Sequence, residues 1–303
     1  MAKNNIKFII KGGVLCAAFS FMALFIPILG AALNYFSLLP IFYVGICLGV
    51  RSYLLAISIP LMGVIILFGP AGIGLFSITL FAPSMAILYW HFLKNKNTYK
   101  YSPTDILHLF SSRFLGLVTA VFLYLKITNS QLFEWLTQKV EMISTLAKLP
   151  YATGPLIEIL PGVFSFLWLL MVWLNFQIAY SIALRSNKAI RKLTINQNNF
   201  LPPIWDIALV AALWLIVANK LFIDSSILGI YARTALCICG FPLLIDGIEI
   251  AQLIARFYKV PRYAVGIFMI LTFLLVWPMI FVVVLGLVEP LYGLKKKYYS
   301  KFN

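Results

Sequence analysis

The sequence predicts an all-α fold: a polytopic transmembrane helical bundle of about eight to ten hydrophobic segments, some short or kinked. Three observations lead there. Of 303 residues, 62% are hydrophobic. Only 11% are charged, against about 25% in soluble domains. The charges are also sorted. Lys and Arg collect in short clusters between apolar runs, as loops do when a membrane orients them. Such a chain has no ordinary water-facing surface, and lipid must cover most of it. We read 1–303 as a single membrane domain with no soluble domain.

The first apolar run, 12–33, is entered from Lys3, Lys7 and Lys11. At about 20 residues it is longer than the apolar core of a cleavable signal peptide, so it reads as an uncleaved first span. Residues 38–92 are almost unbroken hydrophobe. Arg51-Ser52 and Gly69-Pro70-Ala71-Gly72 divide them into 38–50, 53–69 and 73–93. The first piece is too short to span upright and suits a half-helix or re-entrant segment packed inside protein. A basic loop follows at 94–100. Ser102 as N-cap and Pro103 in the first turn start the next span, 104–126.

Residues 129–149 differ. Phe133, Leu136, Val140, Ile143 and Leu146 recur at helical spacing, with Lys139, Glu141 and Lys148 between them. This is an amphipathic helix on the outer membrane face, or a connector packed on the bundle. A turn-rich lead-in, 150–161, precedes a span at 162–184. The basic cluster of Arg185, Lys188, Arg191 and Lys192 separates that span from the next, 204–222. The segment 227–257 is interrupted by Gly240-Phe241-Pro242 and is one kinked helix or two short ones. A last span at 264–288 contains Pro278, and Lys295, Lys296, Lys297 and Lys301 end the chain.

Positive-inside counting puts the N-terminus, the 94–100 loop and the 185–192 cluster in the cytoplasm of a bacterial inner membrane. The C-terminus is harder. One span separates the basic cluster at 256–262 from the lysine tail, yet both clusters favour the same side. An inside C-terminus is the preferred reading.

The net charge of +15 does not indicate nucleic acid, because the clusters alternate with apolar spans. Anionic membrane lipids are the partner it suits. The four cysteines, Cys16, Cys47, Cys237 and Cys239, all lie in apolar stretches without C-x-x-C spacing. They read as small buried hydrophobes rather than a metal site or disulfide. No cofactor is expected. With nine acids and two histidines, His91 and His108, general acid–base catalysis has few actors. No catalytic triad, H-E-x-x-H or nucleotide-binding signature is present, and the glycines at 69–74 lack the G-K-[ST] ending of a phosphate loop. The protein reads as a non-enzyme.

The exceptional stretch is 241–257, FPLLIDGIEIAQLIARF. On a helix, Asp246, Glu249, Gln252 and Arg256 fall within roughly a third of the circumference. Ionised groups in hydrocarbon cost about 3 kcal/mol or more each, so this stripe faces other helices, a wet cavity or the cytoplasm. Arg113 lies more than two turns into its span and needs a partner such as Asp206, Asp246 or Glu249. Asn175 and Gln177 sit mid-span, where amides cross-link helices or contact a solute. The candidate solute-binding set is Arg113, Asn175, Asp246, Glu249 and Gln252.

Ile245-Asp246-Gly247-Ile248-Glu249, then a proline-containing last span ending Leu285-Gly286-Leu287-Val288-Glu289, then a basic tail, resembles the YybS-like family of bacterial membrane proteins of unknown function. That family looks distantly similar to the substrate-binding S components of energy-coupling-factor transporters. The resemblance is specific over about 240–297. It implies a membrane-embedded, small-solute-binding or transport subunit partnered by other membrane subunits or a coupling module, with no ATP site of its own. The alternative from a different class is a non-catalytic scaffold for envelope or cell-shape machinery. A wet cavity lined by the named polar residues favours the first. The same residues closed in salt bridges inside a dry core favour the second.

Overall fold

The computed structural model describes residues 3–76, 81, 84, 85, 87, 88, 103–127, 138, 153–188, 204–223 and 226–299. All regular elements among them are helical: α1 (Lys3–Phe21), α2 (Pro27–Tyr35), α3 (Leu38–Leu48), α4 (Val50–Phe76), α5 (Pro103–Ile127), α6 (Thr153–Arg185), α7 (Ile204–Ala218), α8 (Ser226–Phe257), α9 (Arg262–Leu274), α10 (Val276–Tyr292) and α11 (Leu294–Tyr299). Among the described residues, four helices are long and apolar enough to cross a membrane: Ile28–Leu48, Val50–Gly69, Ile159–Arg185 and Ile227–Phe257. The bent pair formed by α9 and α10 makes a fifth if it counts as one span. The amphipathic segment 129–149 and the lead-in 150–152 lie outside the described residues, apart from Gln138.

Several segments are cut differently from the expectation. The 12–33 run is broken near Phe25 and Ile26, because Pro27 opens α2 at its first position. A proline fits there, since that N–H has no helical partner anyway. The short piece 38–50 is joined to α2 through the turn at Phe36 and Ser37, giving the 21-residue apolar stretch Ile28–Leu48. Helix α6 starts well before Gly162 and runs through Pro161. The 227–257 segment is one helix, carried through Gly240 and Pro242. The last span is broken at Leu275, whose extended backbone (φ −117°, ψ 134°) separates α9 from α10. The two halves meet at 101°.

The chain forms two compact units. The first comprises Met1–Phe110 and Leu170–Asn196. In it α1 packs on α3 and α4, with Ile9, Val44 and Ala56 at the contact. The ring of Phe42 stands edge-on to Phe176. Tyr53, fully buried, shares a 2.7 Å hydrogen bond with Ser84 Oγ.

The second unit comprises Ser111–Leu169 and Gln197–Asn303, and α8 is its spine. Thr119 Oγ1 and the Tyr231 hydroxyl, 2.9 Å apart, tie α5 to α8. Phe166 of α6 stands edge-on to Phe241. Leu209 of α7 joins Cys239 and Leu243. Helix α10 crosses α8 at two glycines. A Cβ on Gly247 would overlap the Val282 carbonyl, and one on Gly286 would overlap the Leu243 carbonyl. Small residues let helix backbones approach this closely inside a membrane, where packing rather than hydrophobicity drives association. The expected burial of the cysteines holds for Cys16, Cys47 and Cys239, Cys237 is partly buried, and all four are free thiols.

Candidate functional site

The charged stripe on α8 meets a lysine from the end of the chain. Lys295 Nζ donates to Asp246 Oδ1 and to Glu249 Oε2, both at 2.6 Å. The Lys295 side chain is 14% exposed, Asp246 2% and Glu249 30%. Two carboxylates one helical turn apart point the same way from α8, and one ammonium bridges them. Charge-assisted hydrogen bonds of this length are the strong kind.

Three local features bring Lys295 there. The Gly247–Gly286 crossing holds α10 against α8. Gly293, in the left-handed region (φ 56°, ψ 41°), ends α10 and turns the chain. Glu289, buried near the end of α10, accepts the backbone N–H of Lys295 on both carboxylate oxygens, at 3.1 and 3.0 Å. It thereby caps the first turn of α11, where N–H groups lack helical partners. Helix α11 then runs back along α8, and the Tyr298 ring meets Phe257 at 5.4 Å. Burial alone would lower the Lys295 pKa, but Asp246 and Glu249 outweigh it and hold it above the ordinary 10.5. The lysine is therefore a committed cation.

The other predicted site residues are distributed. Gln252 lies one turn beyond Glu249 and turns to a different surface, where its Nε2 donates to Met269 Sδ at 3.5 Å. There it lines an apolar groove of about 360 Å³ between α8, α9 and α10. Arg113 is exposed on α5; it belongs to the second unit, but the cation bridging the two acids is Lys295. The Asp206 side chain lies outside the described residues. Asn175 belongs to the first unit and is fully buried. Its Nδ2 donates to the carbonyls of Tyr35 and Met171, each at 2.7 Å. Tyr35 ends α2, so the amide satisfies a carbonyl that the helix leaves open. This is the cross-linking use of a mid-span amide.

Lys295 and Glu289 are the participants that sequence reasoning missed. In the sequence Lys295 bears only on topology, and Glu289 only marks the end of a span. The available signal was arithmetic: a stripe with more acid than base demands an outside cation, and Gly293 followed by lysine is a turn that can deliver one. Comparison of the chain with family models, with curated proteins and with solved structures finds no match.

Proposed function

We propose that this is a multi-pass membrane protein without catalytic activity that serves as a scaffold subunit. The carrying observation is Lys295 seated between Asp246 and Glu249. The acids that would have contacted a solute are occupied by the chain itself, and the adjoining groove is apolar. A polar cluster closed in this way pins helices together. In this reading the whole chain acts as one membrane domain of eight to ten hydrophobic segments, counting short apolar helices such as Phe110–Tyr124 and Ile207–Leu221. The basic loops and the 129–149 segment are its docking surfaces for envelope or cell-shape machinery.

The membrane is the bacterial inner membrane, with the N-terminus in the cytoplasm. Helix α11 supports a cytoplasmic C-terminus: Lys295 and Tyr298 progress along α8 toward Phe257, so the lysine tail heads for the same end as the basic cluster at 256–262. In this reading the bent α9–α10 pair is re-entrant and α11 completes the return, so both basic clusters lie on one side. A reporter fused after Asn303 tests this, and a periplasmic signal contradicts it.

One observation favours a second reading, in which the chain is a small-solute-binding or transport subunit resembling S components. The occupant of the acid pair rides on a terminal helix of six residues hinged at Gly293, so a swing of α11 opens the pair to a cationic or polar solute. Purification in native lipids followed by mass spectrometry separates the two. Partner membrane subunits without a small molecule support the scaffold. A retained solute that is lost on Asp246→Asn supports transport and refutes the scaffold.

A further inference from the structure

The groove beside Gln252 lies between α8 and α9, with Leu285 of α10 also lining it. Ile248 of α8 packs with Met269 of α9; Ala251 and Ala255 of α8 and Ala264 and Phe268 of α9 line the same groove. These walls are apolar, and the small alanines make the space. From Ile248 to Tyr258 the lining follows α8 for about 15 Å, half of a hydrocarbon core of about 30 Å. That is the depth of one leaflet. Three of the lining residues, Tyr258, Val260 and Phe268, are exposed, so the groove opens at an apolar surface.

Its shallow end is basic. Arg256 follows the lining residue Ala255, and Lys259 stands between the lining residues Tyr258 and Val260. Both are exposed, and among the described residues neither carries an ion pair. Gln252 lies one turn deeper. Its N–H is spent on a thioether, a weak acceptor that an ester carbonyl would displace. Basic, then amide, then apolar is the order of a phospholipid: phosphate, ester, acyl chain.

We propose that this groove holds an acyl chain of an anionic phospholipid, with the ester beside Gln252 and the phosphate on Arg256 and Lys259. It is a specific site, beyond the general coating of lipid, and does not depend on whether the protein is a scaffold or a transporter.

The test is native mass spectrometry of the full-length protein in detergent, titrated with phosphatidylglycerol or with phosphatidylethanolamine of identical chains. Wild type retains phosphatidylglycerol at least tenfold more tightly. The double variant Arg256→Gln/Lys259→Gln, which alters only exposed positions, weakens phosphatidylglycerol binding roughly thirtyfold and phosphatidylethanolamine, which shares the phosphate but carries its own ammonium, only about threefold, so the preference is lost. Ala255→Phe fills the groove and weakens both lipids. Equal retention of the two lipids by wild type overturns the proposal, as does a preference that survives the double charge variant. An adduct of protein mass in place of lipid, displaced by Ala255→Phe, also overturns it.

Discussion

The two units solve the same problem with different chemistry. Each must keep polar side chains inside apolar helices. The first unit uses a neutral amide: Asn175 closes the open carbonyl of Tyr35 and leaves no charge behind. The second uses ions: Lys295 bridges Asp246 and Glu249, with Glu289 capping the helix that carries it. A neutral link within a membrane contributes about 1 kcal/mol. An ionic link is not much stronger when intact, since desolvating its members offsets their attraction, but it is far more costly to break halfway. The first unit's device is therefore forgiving and the second's is conditional. It holds only while every member is present and charged.

The widest gap between the two should follow from removing the cation. Lys295→Met leaves Asp246 and Glu249 facing each other without their counter-ion, and should destabilise the second unit by about 3–5 kcal/mol. Thermal unfolding of the purified protein in a fixed detergent measures this. A loss below about 1 kcal/mol would mean the bridge is solvated and energetically idle.

The next largest effect probes what delivers Lys295. Gly247→Val places methyl groups where the Val282 carbonyl lies. Forcing α10 off α8 should cost about 1–3 kcal/mol. It should also expose Lys295 to an amine-labelling reagent that leaves the wild-type residue untouched.

Helix positions were legible where an apolar run has chemically distinct ends. The span expected at 104–126 is the helix Pro103–Ile127, since Pro103 starts it and Lys126 closes the run. The 227–257 segment was bounded correctly for the same reason. Breaks were not legible, because proline reads alike in two settings. Pro27 and Pro278 fall in first turns, so each marks a break just before it. Pro242 sits inside a continuous helix, whose neighbours Phe241 and Leu243 are fully buried by packing. Only tertiary context separates these cases. The candidate site was half legible. Periodicity put Asp246 and Glu249 on one face, but nothing local ties them to a lysine 46 residues from Glu249. Periodicity also grouped Gln252 with the acids, whereas its amide turns to the groove beside Met269.

A smaller effect is expected in the first unit. Asn175→Leu strands the Tyr35 carbonyl, which should cost about 1 kcal/mol. Because no charge is involved, the loss should be the same at every pH, which differential melting of variant and wild type checks.

The smallest effect is the alkaline behaviour of the ionic link. The Lys295 pKa is raised on folding, so its stabilising contribution is fully present below its ordinary 10.5. It is lost only as pH rises through the higher folded value. The melting difference between wild type and Lys295→Met should therefore stay flat from neutral pH to about 10. A decline beginning below that range would contradict the raised value.

The central claim is that Lys295 is present because Asp246 and Glu249 require it. The most direct test melts Lys295→Met beside the triple variant Asp246→Asn/Glu249→Gln/Lys295→Met. If the claim holds, the triple variant recovers most of the stability lost by the single one, a coupling of at least about 1.5 kcal/mol. If the triple variant is less stable than the single one, the acids contribute independently of the lysine and the account fails.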